Sequence, residues 1–484
     1  VELPEIIFTG QEGYSKSKVY QLTKRETIRP LVNGVYTSNF SDSAADIIWR
    51  NWQLILSQLY PESILSHRTA LEFRPTANKN IYITHNTRRV LKWPGLTIRM
   101  VKGPKALEGD NPIYGHLHVS SLERALLENL STSRMVEGER RTVDQAMIEN
   151  RLVQELNVNG EDGINKVRDR AREISEKLRW EKPFKKLNAI IAALLNSQSA
   201  DMLSSDISKA VALGEPYDAS RVALFSLLIA ELRSTTFADR FAKTIDHVSY
   251  QNIAFIESYF SNYIEGTEFA IDEARDILFH NIKIPNRTGD SHDIKGTFEL
   301  CNDQVIMSSP PKSASDLIGM LKSYHSILLR GRPEKQPGRF KNRANRAGET
   351  FFVSPNQVIG TLKHAFELSH ALSHPLAKAI YMMFVVSEVH PFADGNGRMA
   401  RLMMNIELSS KEFSKIIIPT VYRDDYLLNL RALTRKREAS KFIKMMDKAQ
   451  RFTHWLNPGD FEDMNQQLLD SRAYAESNET ALRF

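Results

Sequence analysis

Twelve consecutive residues hold most of the chemistry this sequence offers: His390-Pro391-Phe392-Ala393-Asp394-Gly395-Asn396-Gly397-Arg398-Met399-Ala400-Arg401. His390 has the intrinsic pKa to take a proton from a hydroxyl near neutral pH. Asp394 can hold the Mg2+ that travels with a nucleotide. Gly395, Asn396 and Gly397 can form a tight turn with φ > 0 and expose consecutive backbone N–H groups. A helix starting there would add its positive dipole end and make an anion site. Arg398 and Arg401 are three apart and lie on adjacent parts of one helix face. Two guanidiniums beside an N–H nest suit a polyphosphate. The bland alternative is a solvated turn with scattered charges.

A second pattern lies upstream, at Ser261-Asn262-Tyr263-Ile264-Glu265-Gly266. Ser261 and Glu265 are spaced i,i+4, so both can share one helix face. Gly266 then reads as the C-terminal stop. A surface glutamate at a helix end would look the same in isolation.

Around these stretches the chain has 484 residues, 42% hydrophobic and 25% charged, an ordinary composition for a folded protein of several domains. No apolar run is long enough for a transmembrane helix. Val1–Phe8 carries two glutamates and no basic stretch, so no signal peptide is expected. The single cysteine, Cys301, rules out an intramolecular disulfide and fits a reducing, cytoplasmic setting. No Cys/His cluster has zinc spacing. The net charge of +6 is compatible with nucleotide or nucleic acid partners without demonstrating either.

Three regions and a tail are expected. Residues 1–135 alternate short helical and strand-like patterns with turn signals. Ile81-Tyr82-Ile83-Thr84 and Leu96-Thr97-Ile98-Arg99 read as strands, and Val32-Asn33-Gly34-Val35-Tyr36 as a turn. Residues 136–245 read as helices linking the other two regions. Residues 246–455 are helical and hold the twelve-residue motif. Residues 456–484 form a polar tail with a peripheral helix.

The motif matches the pattern H-P-F-x-[D/E]-G-N-G-R-x-x-R of the Fic (filamentation induced by cAMP) family at every fixed position. Ser261–Gly266 is similar to that family's [S/T]-x-x-x-E-[G/N] inhibitory motif. Its place upstream resembles the class whose inhibitory helix is N-terminal, here near 253–266. In that class the glutamate pairs with the second motif arginine, which corresponds to Arg401. It thereby takes the place of the nucleotide's γ-phosphate. Pro337-Gly338-Arg339-Phe340 through Thr350–Pro355 is similar to the family's flap hairpin. By the same resemblance Gly348 and Glu349 lie near the nucleotide, although a plain turn explains them as well. Arg339, Lys341, Arg343 and Arg346 would sit near the flap or in a solvated loop. Arg423-Asp424-Asp425-Tyr426-Leu427 resembles the helix bordering the adenine pocket, with Tyr426 either against a base or in the core. Leu427 and Thr434 stand where the family often has tyrosine and asparagine, which leaves the base preference open.

The first region carries a looser resemblance. Lys16–Leu22 and Ile28–Tyr36 look like the helix and wing of a winged helix-turn-helix. Ser66-His67-Arg68-Thr69-Ala70-Leu71 and His118–Leu127 are similar to segments of AbiEi-type antitoxin regulators. Such a module could put Lys16, Lys18, Lys24, Arg25 and Arg68 on DNA phosphates. The excess of basic over acidic side chains there is modest for a DNA binder.

The expected fold is therefore mainly α. An all-helical Fic core with a small β-hairpin flap is preceded by an α+β winged-helix-like N-terminal region. The resemblance implies an autoinhibited protein adenylyltransferase that moves AMP from ATP to a Ser, Thr or Tyr hydroxyl of a target protein. His390 would be the general base and Asp394 the Mg2+ ligand. Gly395, Asn396 and Gly397 would be the anion nest, Arg398 the β-phosphate clamp and Arg401 the γ-phosphate clamp. Ser261, Glu265 and Gly266 would be inhibitory. Two other readings stay open. One is removal of AMP from a modified protein. The other is a DNA-binding, antitoxin-like regulator whose Fic domain senses nucleotide. The partners considered are a hydroxyl-bearing protein, double-stranded DNA and a second copy of the chain, with no membrane.

Overall fold

A computed structural model describes residues 3–243, 246–280, 282, 284–476 and 481–484. The chain divides into two compact units, Val1–Gly214 and Glu215–Phe484.

The first unit opens with a three-stranded antiparallel sheet in the order Ile6–Phe8, Val35–Thr37, Arg29–Val32. Gly34, at φ +80°, turns the hairpin between the last two, a conformation that favours glycine. The helix Lys16–Lys24 packs Val19 and Leu22 onto this sheet beside Ile7 and Ile28. Among the described residues before Ala44 it is the only helix. A six-stranded mixed sheet follows, in the order Arg89–Trp93, Leu96–Lys102, Asn80–His85, Ile64–Leu65, Leu117–Val119, Asn111–Tyr114. The two expected strands fall in its middle, where Ile81, Ile83 and Ile98 are buried under the helix Ala44–Leu59. Asn80–His85 and Leu96–Lys102 run parallel, so the hairpin strand Arg89–Trp93 pairs on the far side of Leu96–Lys102. Three helices, Leu122–Leu130, Gln145–Leu178 and Glu181–Leu194, enclose a separate apolar core. Gly160, at φ +67° and ψ −168°, breaks the longest of them.

The second unit is helical. Among its described residues the only paired strands are the short antiparallel pair Arg346–Ala347 and Thr350–Phe351. Its central helix, Pro375–Val389, is apolar apart from Lys378, Ser387 and Glu388 and is buried along nearly its whole length. A helix with no polar face must be surrounded. Its neighbours include Asn396–Ser409, Val358–Ser369 and Ala219–Ser234. Proline at the first position and the His374 side chain, which accepts from Leu376 N–H at 3.1 Å, start it. Beyond Pro458 the helix Phe461–Asp470 docks through Met464 and Leu468. No helix among the described residues is long and apolar enough to cross a membrane.

Candidate active site

The site lies in the second unit, where the central helix ends and the next begins. His390 caps Pro375–Val389 in the left-handed conformation, at φ 50°. That region is costly for a residue with a Cβ, and it turns the chain sharply out of the helix. The ring Nδ1 lies 3.2 Å from the Ser387 carbonyl. A carbonyl only accepts, so Nδ1 carries the proton and Nε2 keeps its lone pair, the tautomer a general base needs. Phe352 stacks face to face on the imidazole at 3.7 Å. Burial, assisted by the Lys341 charge against a favourable bond to Ser387, lowers the His390 pKa to about 4. The ring is therefore neutral at physiological pH.

Between the two helices the turn is braced from inside. The Asn396 side chain accepts from Phe392 N–H and donates to Phe392 O, both at 2.9 Å. The asparagine thus serves the turn with its side chain, and only its backbone N–H is left for an anion. Phe392 is fully buried and stacks on His325 at 3.7 Å. His325 accepts from Gly338 N–H at 2.9 Å through Nδ1 and donates from Nε2 to Asp394 O at 3.1 Å. Burial lowers its pKa to about 4, so it remains in that single-proton form. Gly395, at φ +73°, starts the helix Asn396–Ser409. The first backbone N–H groups of any helix lack an intrahelical acceptor and face outward from its end.

Something negative already sits there. A side chain at Gly397 would collide with Oε1 of Glu265. The same oxygen accepts from Arg401 Nη2 at 2.7 Å. Arg401 also donates to Ser261 through Nη2 to the carbonyl at 2.8 Å and Nε to the hydroxyl at 3.0 Å. Ser261 lies in the last turn of the helix His247–Ile264, Glu265 is its C-cap, and Gly266, at φ +87°, reverses the chain. The spacing read from the sequence therefore forms one clamp on one guanidinium. The neighbouring Asn262 accepts from Arg398 Nη1 at 3.3 Å, and Asp293 of the helix Thr288–Asn302 forms an ion pair with the same nitrogen at 3.0 Å. Asp293 is held in turn by Arg332 Nε at 2.8 Å. Both motif arginines thus have acidic partners.

Asp394 is half-buried. Burial raises its pKa, but Lys335 at 3.1 Å and the Gly395 N–H at 2.7 Å outweigh burial and hold it below the usual carboxylate value. Among the described residues no cluster of three or more His, Cys, Asp or Glu could hold a metal alone. One carboxylate does suit Mg2+, which binds through one or two carboxylates with phosphates and water.

The segment leading to the hairpin is fastened to the motif turn. Lys341 N–H donates to Pro391 O at 2.8 Å, and its buried Nζ donates to Asn345 Oδ1 at 2.7 Å. Asn345 Nδ2 donates to Phe392 O at 3.0 Å. Burial lowers the Lys341 pKa to about 8. On the far side Arg221 donates to Phe351 O at 2.5 Å and pairs with the buried Glu388 at 3.0 Å.

Other candidates are placed differently. Gly348, at φ +58°, and the exposed Glu349 form the hairpin tip, where Glu349 lies 3.5 Å from Arg435. Tyr426 is buried, with its hydroxyl against Arg401 and 3.7 Å from Met383 Sδ, so it forms the arginine's surroundings rather than an open wall for a base. Leu427 is partly buried against the core, and the Thr434 hydroxyl donates to Glu388 Oε1 at 2.5 Å. In the first unit Lys16, Lys18, Lys24 and Arg25 are exposed on or just after one helix. Arg68 stands apart from them and is held by Glu72 at 2.8 and 2.9 Å. Asn262, Asp293, His325 and Phe352 are given no role by the sequence reading because each reaches the motif across tens of residues with no fixed spacing, and Lys341, expected near the flap or in a solvated loop, is instead buried against the motif turn.

Residues 318–408 match the family model described as Fic/DOC family. Over 185 residues the chain is 26% identical to protein adenylyltransferase fic-1 of Caenorhabditis elegans, covering 36% of each chain. Over 173 residues it is 27% identical to protein adenylyltransferase Fic of Drosophila persimilis, covering 35% of this chain and 34% of that one. It spans about a third of the length of these curated relatives. A solved Fic family protein from Desulfovibrio desulfuricans G20 aligns with a TM-score of 0.37 at 20% identity, over 50% of this chain and 75% of that one. The motif thus lies within the stretch, residues 318–408, that is similar to the Fic/DOC family.

Proposed function

We propose that this protein is an autoinhibited protein adenylyltransferase acting on a hydroxyl side chain of a protein. The observation that carries the reading is the convergence of a neutral imidazole, a helix N-terminus and two guanidiniums around one turn. The name shared by the relatives above supports it. The target oxygen attacks the α-phosphorus of ATP, and its proton passes to Nε2 of His390. The bond from the α-phosphorus to the α,β-bridging oxygen breaks, and pyrophosphate leaves. A positioned base of this kind contributes about 10²–10⁴ in rate. The backbone N–H groups at 396–398 and the Arg398 fork stabilise charge on the transferred group and the β-phosphate. Mg2+, held by Asp394 once Lys335 yields, would neutralise the α- and β-phosphates. Positioning and electrostatics then supply most of the catalysis.

Inhibition follows from charge. Glu265 occupies the Arg401 fork at the helix end, so a γ-phosphate must displace a carboxylate and is repelled while it remains. The test is labelling of protein from α-labelled ATP. Weak labelling is expected from the parent, stronger labelling from Glu265→Gly and none from His390→Ala. Equal labelling by all three would sink the proposal. Running each nucleoside triphosphate in turn reads the base preference that Leu427 and Thr434 leave open.

For residues 1–135 a DNA partner is supported by the exposed Lys16, Lys18, Lys24 and Arg25 beside a hairpin. A shift assay on the full chain with a salt series tests it, because phosphate contacts weaken steeply with salt.

A further inference from the structure

Two stretches that stand out in the sequence, Ser66–Leu71 and His118–Leu127, take no part in the reaction above. The first unit brings them together around a buried carboxylate. Glu128 accepts from His67 N–H at 2.9 Å, from Ser120 Oγ at 3.0 and 3.2 Å, and from Arg124 Nε at 3.0 Å. Arg124 also pairs with Asp110, and none of the three side chains reaches solvent to any extent. That cluster is satisfied by its own members.

Arg141, beside it, is not. Its Nη2 reaches only the Thr132 carbonyl, at a long 3.4 Å, and its buried Nε has no hydrogen-bond partner. Burial and then the nearby Arg88 both weaken its charged form, against smaller help from Glu128 and Tyr82. A half-buried guanidinium in this condition gains from an oxyanion that fills its fork. A cavity of about 250 Å³ lies against it, lined also by His67, Glu128, Lys102 and Trp180. His67 is held in the left-handed conformation, at φ 53°, although it has a Cβ. Such strain at a buried polar residue points toward function. Its Nδ1 is engaged by Ser66 Oγ at 2.9 Å, which leaves Nε2 to a ligand. Burial first, with Arg141 and Arg124, lowers its pKa to about 3, so it meets a ligand as a neutral ring.

We propose that this cavity is a second ligand site that takes a small organic phosphate, its oxyanion on Arg141 and His67 and its body against Trp180. Arg141, with Lys102 and Arg88 nearby, favours a dianion over a single carboxylate. The opposing Glu128 is already engaged by Arg124 and by two other donors, the His67 N–H and the Ser120 hydroxyl. Trp180 supplies a flat apolar face at one wall.

The test titrates the full chain with ribose 5-phosphate and with inorganic phosphate, reading heat and tryptophan fluorescence. Saturable binding is expected, with a fluorescence change that Trp180→Phe removes while the heat persists. Arg141→Gln should weaken binding about tenfold or more, and Arg141→Lys, which keeps the charge without the fork, by less. Ribose 5-phosphate binding tighter than inorganic phosphate supports the apolar wall. Unchanged melting temperature in Arg141→Gln separates loss of ligand from loss of fold, and if that variant unfolds, Arg141→Lys and Trp180→Phe carry the test. Absence of saturable binding at millimolar ligand, or equal affinity in the Arg141 variants, would overturn the proposal. The latter result would locate the phosphate on other residues.

Discussion

Two buried arginines, one in each unit, make an instructive pair. Arg124 meets Asp110 and Glu128, and all three side chains are at most 2% exposed. Arg401 is nearly as buried, at 5%, but its carboxylate partner Glu265 is 31% exposed. The first network is closed. Exchanging a partner there would strand a charge in a low-dielectric interior. In the second the carboxylate stands at the rim, so it can leave for water while an incoming anion takes its place. Under the proposed function the same ion-pair chemistry would make a fixed brace in one unit and a replaceable plug in the other. The exposure of the acidic partner decides which.

The strongest challenge to this contrast is to remove each charge in turn. Arg124→Met should cost about 3–5 kcal/mol of unfolding free energy, because it leaves Asp110 and Glu128 uncompensated. Denaturant titration measures it. Glu265→Gln should change stability far less, within about 1 kcal/mol. A large loss at Glu265 would place both pairs in the same class. The next effect is on rate. Freeing Arg401 by Glu265→Gly should raise labelling about 10–100-fold, the worth of one charge-assisted hydrogen bond.

Asp293 then sharpens the comparison inside the site itself. It is buried on Arg398 as Asp110 is on Arg124, so it belongs with the fixed braces. Asp293→Asn in the Glu265→Gly background should raise the KM for ATP about tenfold. It should not activate the parent. Activation would make Asp293 a second plug. A smaller effect concerns pH. Because burial lowers the His390 pKa from 6.5 to about 4, the base is protonated only well below neutrality. The kcat/KM of Glu265→Gly should therefore stay flat from neutral pH down to about 5 and fall below that. Loss of activity centred near an ordinary histidine pKa would mean that the ring is more open to water than its stacking on Phe352 implies.

Legibility in the sequence followed the range of the interaction. His390 to Arg401 could be read because everything they do locally is set within one turn and one helix start. Ser261 and Glu265 could be read because i,i+4 spacing on a helix puts them together. The strands at 81–84 and 96–99 and the turn at Gly34 followed from β-branched alternation and from a backbone position that favours glycine. Other assignments needed the fold. Arg68 looked free for phosphate, but Glu72, four residues on, takes its fork. Asn396 was expected to lend its backbone N–H to an anion, and the fold adds a task for its side chain, which braces the turn through Phe392. Tyr426 could have faced a base or the core, and it packs inside against Arg401.

The sequence by itself determined the local inventory: an imidazole, a carboxylate, a glycine-flanked helix start and two arginines, in an order that a single turn enforces. Only the tertiary structure decided what those groups meet. Arg398 finds Asp293 from 105 residues away in the chain, and Arg401 finds Glu265 from 136 residues away. His390 meets Phe352 from a separate segment. The physical reason is that backbone geometry is set by neighbours in sequence, whereas desolvation and ion pairing are set by neighbours in space. Whether an arginine is braced or merely plugged depends on which carboxylate the fold delivers and how much water that carboxylate keeps.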